Sequence, residues 1–404
     1  MAMAKSRASA IGVLVLCFAL VSCEAKGLAV PVGETIFNVL QFGARPGGKQ
    51  ESTQAFMRAW IAACKNFDGV RAKVLIPPGI YKLSETIFGG PCKSRNPITV
   101  QLAGTLIANT DLSEYSGKSW ISFSKVDGLL LTGGGTIDAR GQDVWKYNDC
   151  KSNPSCVHLP STLYFTNVRN AVTKGISLLN SMGFHMHITN SYNVRFQRLR
   201  ISAPPDSPNT DGMHISKSLT VKVSRSVIST GDDCISVGQG STNVTINKVT
   251  CGPGHGISVG SLGKLPNELD VRGLIVKNCT ILGTTNGVRI KTWPGSGPSQ
   301  ASGLLFSNII MDNVQNPIIV DQGYGGKSNK QPSRVKISHV IYQNIMGTTV
   351  SPVAVNLMCS KQVPCQNVRL SNIKLRSSKN MPLTATCTNA QVGYSGIQNP
   401  PPCK

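Results

Sequence analysis

Residues 194–201 read VRFQRLRI, while residues 244–251 and 274–281 read VTINKVTC and LIVKNCTI. All three follow one eight-residue pattern, with apolar side chains at the first, third, sixth and eighth positions. Alternation predicts strands, and the two-residue skip in the middle predicts a bend between two short strands. Further copies begin at Leu304, Val335 and Val368. The pattern recurs at intervals of about 30 residues, which is typical of a solenoid.

Strands this short cannot bury a face alone, so successive coils are expected to stack in parallel around one apolar interior. We therefore predict an all-β, single-domain parallel β-helix over residues 37–404, with a β-propeller as the alternative. Apolar residues at helical spacing from Ser52 to Ala63 predict one short helix, capped by Ser52. This helix precedes the first clear strand, Val74 to Ile76, and is expected to cap the open first coil.

The first residues are typical of a secretory signal peptide. Lys5 and Arg7 precede an apolar run that is too short to span a bilayer, and small residues follow it. We expect cleavage between residues 23 and 25, a signal peptide over 1–23, and a protein secreted to the extracellular space or cell wall. No membrane association is expected.

Secretion permits disulfides, and the cysteine spacing favours five pairs. They are Cys64 with Cys92, Cys150 with Cys156, Cys234 with Cys251, Cys359 with Cys365, and Cys387 with Cys403. Cys279 remains unpaired, at an inward position of the repeat where a thiol serves as a small apolar group. Asn243 and Asn278 lie in glycosylation sequons.

The charge balance indicates a polyanionic partner. The chain has 41 basic and 19 acidic residues, for a formal net charge of +22, which steers anions toward the surface. Secretion argues against nucleic acid, and there is no basic amphipathic helix for a membrane surface. An acidic polysaccharide remains as the expected partner, and we expect a monomer.

A second strand series is marked by Ile-Ser or Ile-Lys pairs that begin at Ile215, Ile235, Ile257 and Ile290. Ionisable residues stand close to these pairs: Asp211, Asp232, Asp233, His255, Arg289 and Lys291. Equivalent positions on stacked coils lie about 4.8 Å apart, so these residues are expected to form one strip. Each alone suits a tight turn, but the set indicates a catalytic site.

The strip contains the groups that glycoside hydrolysis requires. Asp232 and Asp233 repel, so one of them is expected to keep its proton to higher pH and act as an acid, while another carboxylate activates water. Arg289 and Lys291 point the same way and can bind a sugar carboxylate. His255 tunes the acid or contacts substrate. Three carboxylates could also hold calcium, but the two cations oppose this, so no metal and no cofactor are expected.

Four motifs carry a resemblance to a known family: Asn209-Thr210-Asp211-Gly212, Gly231-Asp232-Asp233, Gly254-His255-Gly256 and Arg289-Ile290-Lys291. In these the sequence resembles the polygalacturonases of glycoside hydrolase family twenty-eight. The resemblance implies a right-handed parallel β-helix and inverting hydrolysis of the α-1,4-galacturonosyl bonds of pectin. The segments 207–209, 251–254 and 354–357 are most similar to exo-acting plant enzymes of the pollen type.

The resemblance also implies roles for individual residues. Asp232 corresponds to the general acid, Asp211 and Asp233 to the residues that activate water, and His255 to an assisting group. The implied substrate-binding residues are Asn209, Arg289, Lys291 and Tyr324. Alternatives remain open at this point: an endo-acting polygalacturonase, a calcium-dependent pectate lyase on the same fold, and a non-catalytic pectin-binding protein.

Overall fold

The computed structural model describes residues 33–94, 96–149, 153, 159–325 and 331–403. Within these residues the chain forms two long parallel sheets, one of 20 strands and one of 11. Successive coils stack as a right-handed parallel β-helix, which confirms the predicted fold class. The proposed signal peptide lies outside the described residues. No helix in the described part of the chain is long and apolar enough to cross a membrane.

The smaller sheet receives one strand from each coil. Its strands are β4 Thr86–Gly89, β7 Ser119–Ser124, β10 Ser161–Thr166, β13 Met186–Thr189, β16 Met213–Ser216, β19 Ile235–Val237, β22 Ile257–Leu262, β24 Asn286–Thr292, β26 Asn316–Asp321, β28 Val353–Met358 and β30 Thr384–Thr388.

The larger sheet receives two short strands from most coils, or one long bent strand from later ones. Its strands are β1 Glu34–Asn38, β2 Arg71–Ile76, β3 Ile80–Leu83, β5 Ile98–Leu102, β6 Thr105–Ala108, β8 Asp127–Thr132, β9 Thr136–Asp138, β11 Arg169–Lys174, β12 Ser177–Leu179, β14 Tyr192–Gln197, β15 Arg200–Ser202, β17 Leu219–Ser224, β18 Val227–Ser229, β20 Thr242–Asn247, β21 Thr250–Cys251, β23 Val271–Leu282, β25 Ser299–Val314, β27 Val335–Thr349, β29 Cys365–Ser377 and β31 Ala390–Asn399.

The inward positions of the repeat form the core. One column of paired residues runs along the helix axis, and every member is buried: Ala171, Val194, Val221, Val244, Leu274, Leu304, Val340 and Val368. Each adds an apolar side chain to the stack, worth about 1.5–3 kcal/mol for a fully buried Val or Leu.

The predicted repeat copy that begins at Val335 is wrong in phase. Leu304 pairs with Val340, and Phe306 pairs with Tyr342. The true copy therefore begins at Val340. Strand β27 alternates inward apolar residues over 15 positions, so the eight-residue pattern fits it at two phases, and only the pairing distinguishes them.

A short helix, α1 Thr53–Ile61, confirms the predicted helix and continues into a wider π turn, Ala62–Asn66. Its buried Trp60 ring lies 5.1 Å from the Phe88 ring and 5.9 Å from the Phe123 ring, so α1 covers the core of the first coils. Ser52 is at the N-cap position but makes no side-chain cap. The remaining short turns are 3-10 helical: Val39–Phe42, Leu112–Glu114, Gly141–Asp143 and Trp145–Tyr147.

The predicted order of helix and first strand is also corrected. Strand β1 precedes α1 and pairs in parallel with β2. The helix is therefore inserted between the first two strands of the stack. The sequence did not reveal β1 because its five residues show no clear alternation of burial.

Four of the five predicted disulfides are present. They join Cys64 to Cys92, Cys234 to Cys251, Cys359 to Cys365, and Cys387 to Cys403. The proposed pair of Cys150 and Cys156 lies outside the described residues. Cys279 is free and buried, as predicted, and burial raises the pKa of its thiol to about 11. It is therefore an inert core residue rather than a nucleophile.

Candidate functional site

Loops that enter the smaller sheet bring the predicted catalytic residues together. Asp211 precedes β16, Asp232 and Asp233 precede β19, and His255 precedes β22. The pairing of these three strands places Asp211, Asp233 and His255 at equivalent positions on adjacent coils. The disulfide from Cys234 to Cys251 ties the residue after Asp233 to β21 of the larger sheet.

The predicted strip is only partly correct in its alignment. Ile235 pairs with Met213, two residues before Ile215, and Arg289 pairs with Ser258 rather than lying level with His255. The Ile-Ser pairs occupy two different inward positions, two residues apart along the strand. A period-two pattern cannot distinguish these positions. Arg289 and Lys291 nevertheless reach the carboxylates through their long side chains.

Asp233 is the centre of a buried ion-pair cluster. The Arg289 guanidinium donates to Oδ1 at 2.7 Å, and Lys291 Nζ donates to Oδ2 at 2.7 Å. The Ser258 hydroxyl also donates to Oδ1 at 2.7 Å. The side chain of Asp233 is only 1% exposed, so both oxygens are fully engaged away from water. Removing one cation would leave a buried charge without compensation.

Asp211 is buried with few donors. Its Oδ2 accepts from the Ser236 hydroxyl at 2.9 Å. Burial, with the negative charges of Asp232 and Asp233, raises the pKa of Asp211 well above its ordinary value, against the opposing effects of Lys291 and Ser236. Asp211 therefore keeps its proton to higher pH than an ordinary carboxyl does.

Asp232 is the most accessible of the three carboxylates, with its side chain 20% exposed. His255 Nδ1 lies 2.9 Å from Oδ1, the Asp233 N–H donates to Oδ1 at 2.8 Å, and Asn209 Nδ2 is 3.5 Å from Oδ2. Burial alone would raise the pKa of Asp232, but the hydrogen bond and charge of His255, with Lys291, outweigh it and lower the pKa.

This distribution differs from the expectation that Asp232 or Asp233 keeps its proton. Repulsion within the cluster does raise one pKa, but the group affected is Asp211, because it combines full burial with two acidic neighbours. Asp232 instead gains a histidine partner. The adjacency of Asp232 and Asp233 in the sequence predicted repulsion between carboxylates. The burial of each side chain determines which carboxyl has the raised pKa.

The predicted substrate-binding residues surround the cluster. Tyr324 follows β26, and its ring lies 5.8 Å from Arg289 Cζ and 5.1 Å from Lys291 Nζ. Its ring also packs edge-on against Trp293 at 5.5 Å. Asn209 has a left-handed backbone with a φ of 52°, which holds its amide toward Asp232. All eight predicted site residues therefore lie in one connected region.

A metal ion has candidate ligands here. Among the described residues, Asp232, Asp233 and His255 offer ligand atoms within 4.8 Å of one another. Arg289 and Lys291 already occupy both oxygens of Asp233, and their charge opposes a cation. The donor set therefore does not fit a metal, and its absence from the reaction stays a prediction.

The sequence reasoning missed three residues that support the acids. Ser236 and Ser258 hold Asp211 and Asp233, and His214 Nδ1 lies 2.8 Å from the Ser236 hydroxyl. Burial, and then Lys291, lower the pKa of His214 to about 4, so it is neutral at ordinary pH. The signal was present in the repeated Ile-Ser pairs, which we interpreted only as strand markers.

The raised pKa of Asp211 predicts that this residue lowers the stability of the fold as pH rises. A raised pKa in the folded state contributes stability below the unfolded pKa and loses it as pH rises through the folded pKa. Asp211→Asn removes this loss, so we expect its thermal midpoint to exceed that of the wild type by about 2 °C at pH 7. The difference should vanish below about pH 4.

The matched control for this experiment is Asp68→Asn, because Asp68 is exposed. Thermal midpoints of the three proteins would be recorded from pH 3 to pH 8. An Asp211→Asn midpoint that stays at or below the wild-type value at pH 7 would contradict a raised pKa for Asp211.

Three clustered carboxylates and a buried cation pair on a parallel β-helix fit the class of β-helical glycoside hydrolases. Comparison with known sequences identifies its family. Residues 64–396 match the family described as "Glycosyl hydrolases family 28", and the chain belongs to this family.

Relatives and solved structures agree with this placement. The chain is 44% identical to an exopolygalacturonase from Arabidopsis thaliana, covering 94% of this chain and 90% of that protein. It is 44% identical to an exopolygalacturonase from Platanus acerifolia, covering 91% and 97%. Its fold matches the endo-xylogalacturonan hydrolase from Aspergillus tubingensis with a TM-score of 0.77 and 26% identity, covering 90% and 100%.

Proposed function

We propose that this protein is a secreted polygalacturonase that hydrolyses the α-1,4-galacturonosyl bonds of pectin from the chain end, releasing galacturonic acid. One observation supports it most: an accessible carboxylate, Asp232, adjoins two buried carboxylates and a cation pair that retains free donors. The exo mode is supported by the two plant exopolygalacturonases at 44% identity over nearly the whole chain.

We assign proton donation to Asp232 because the leaving oxygen of a sugar can approach only an accessible carboxyl. Asp211 is buried, and Asp233 is engaged on both oxygens. A bound uronate excludes water from Asp232 and brings negative charge close to it. Both effects raise the pKa of Asp232, which moves it toward the protonated form that the acid needs.

The base role then follows from the coupling between the carboxyls. The negative charge of Asp232 is one cause of the raised pKa of Asp211. Once Asp232 takes up a proton, this repulsion ends and Asp211 releases its own proton more easily. Asp211 can then accept a proton from the attacking water while Asp232 protonates the leaving oxygen, and Asp233 holds the cation pair in place beside them.

The cation pair gives the site its preference for a uronate. Lys291 Nζ uses one of its three donors on Asp233, and Arg289 uses Nε on Ser258 and one terminal nitrogen on Asp233. The remaining donors can bind a sugar carboxylate. Tyr324 supplies a ring beside both cations, on which a sugar face can pack.

The products at low conversion test this proposal. The purified protein is incubated with polygalacturonate, the products are resolved by size, and the anomer formed first is identified by proton NMR. We expect monomeric galacturonic acid, initially as the β anomer, because inversion of an α bond gives β. The chelator EDTA should leave the rate unchanged.

Each alternative gives a different outcome. Mixed oligomers from the start would indicate an endo-acting enzyme. An unsaturated product that absorbs in the ultraviolet, with loss of activity in EDTA, would indicate a lyase. Binding without any product would indicate a non-catalytic pectin-binding protein.

A further inference from the structure

A row of basic side chains runs along one turn of the larger sheet. Arg198, Arg225 and Lys248 occupy the same position in three successive coils, between β14 and β15, β17 and β18, and β20 and β21. Backbone hydrogen bonds link the coils here, from the Arg198 N–H to Ser224 at 3.0 Å and from the Arg225 N–H to Asn247 at 3.1 Å. Equivalent side chains on stacked coils start about 4.8 Å apart.

A second basic pair lies beside this row. Arg195 on β14 pairs in register with Lys222 on β17, and both side chains are exposed. We call the five residues together the basic ridge: Arg195, Arg198, Lys222, Arg225 and Lys248. The spacing along the helix axis presents the positive charges as a regular array.

The charges of the basic ridge are not neutralised by the protein. Among the described residues, no ion pair or side-chain hydrogen bond involves a ridge side chain, although six ion pairs form elsewhere. The sequence explains this, because it contains no Asp or Glu between Asp149 and Asp206, between Asp211 and Asp232, or between Asp233 and Glu268. Uncompensated cations at this spacing repel one another and attract a polyanion.

The backbone gives independent evidence that cations are not incidental here. Arg198, Arg225 and Lys248 have left-handed backbones, with φ values of 53°, 52° and 57°. Asn is favoured in this conformation over a long side chain. Later coils do place Asn at the equivalent position, where the side-chain amides hydrogen-bond from coil to coil in a ladder: Asn278, Asn308, Asn344 and Asn372. The ridge coils forgo this ladder.

The basic ridge is separate from the candidate active site. Strand β18 lies between Arg225 and the loop that carries Asp232. No described hydrogen bond or ion pair connects a ridge side chain to Asp211, Asp232, Asp233 or the cation pair. A polyanion bound on the ridge would therefore leave the catalytic residues free.

We propose that the basic ridge is a non-catalytic binding surface for a polyuronate, which holds the protein on its polymeric substrate. Such a chain carries one carboxylate on each sugar and so offers regularly spaced anions to regularly spaced cations. The choice of a polyuronate over other polyanions rests on the proposed function, while the existence of a polyanion surface rests on the ridge alone.

A triple variant tests the ridge: Arg198→Asn, Arg225→Asn and Lys248→Asn. Asn suits the left-handed backbone and can extend the amide ladder, so folding should be preserved. The matched control removes the same charge from exposed lysines outside the ridge, through Lys49→Asn, Lys93→Asn and Lys379→Asn. Binding to immobilised polygalacturonate is measured against salt concentration, with Asp232→Asn added to every protein to prevent turnover.

We expect the ridge variant to bind about tenfold more weakly than the control at low salt and to show a shallower salt dependence, because fewer counterions are released. With Asp232 restored, hydrolysis of trigalacturonate should equal that of the wild type. Equal binding by the ridge and control variants would overturn the proposal that the basic ridge is a binding surface.

Two further outcomes separate the ridge from the proposed function. Displacement of the protein by neutral, fully methyl-esterified pectin as readily as by polygalacturonate would overturn the carboxylate basis of the binding. Absence of hydrolysis by the wild type would overturn the proposed function. The comparison of the two triple variants would still show whether the basic ridge binds a polyanion.

Discussion

Replacing Asp232 by Asn is expected to reduce kcat on polygalacturonate by about 10³-fold, the scale of a lost general acid. The amide keeps the volume of the side chain, and its oxygen can still accept from the Asp233 N–H. Substrate binding and the thermal midpoint should therefore change little. The measurement is steady-state kinetics, with reducing ends assayed across the pH range.

Asp206→Asn is the matched control, because Asp206 is exposed and lies in the same loop as Asp211. Its kcat should equal that of the wild type. A kcat for Asp232→Asn similar to that of the wild type would remove Asp232 from the chemistry. A large loss in Asp211→Asn alone would transfer the acid role to Asp211, the carboxyl whose pKa is raised.

Lys291→Met is expected to have the largest effect on stability. Lys291 is 8% exposed and donates to an Asp233 that is 1% exposed. Its loss leaves one oxygen of a buried carboxylate without its cation, which costs about 3 kcal/mol. The midpoint of chemical denaturation should fall accordingly, and KM for polygalacturonate should rise because a donor to the uronate is lost.

Lys374→Met controls for the loss of one lysine, because Lys374 lies exposed on the outer face of β29. It should leave both the midpoint and KM unchanged. If Lys291→Met denatures at the wild-type midpoint, the ion-pair cluster around Asp233 does not stabilise the fold. If KM is also unchanged, Lys291 has no part in binding the substrate.

The sequence predicted the inward face of the stack well, because period-two alternation and burial are the same physical constraint. The residues of the 194–201, 244–251 and 274–281 copies that we expected inside are all buried. The sequence did not predict which of two apolar positions on a strand pairs with a given residue of the neighbouring coil. Val335 and Val340 are both apolar and buried, and only interstrand hydrogen bonds determine which one pairs with Leu304.

The candidate site was also predicted only in part. The types of residue and their proximity were predictable, since one coil contributes one position to a shared edge. The ion pairs and the pKa shifts of the site were not predictable, because they depend on partners from other coils. Ser258 and Arg289 reach Asp233 across one and two coil steps, and His255 reaches Asp232 from the next coil. The sequence alone gives neither the reach of these side chains nor the burial of Asp211.

The stacking of one coil on the next has a consequence for how the protein loses structure. Each coil contacts mainly its two neighbours. The terminal coils have a neighbour on one side only, so we expect local unfolding to begin at the ends and to proceed inward. The catalytic candidates lie between Asn209 and Lys291, with β1 to β15 before them and β25 to β31 after them. The outer coils therefore protect the candidate site. Local unfolding that starts at either end must pass through several coils before it reaches Asp232.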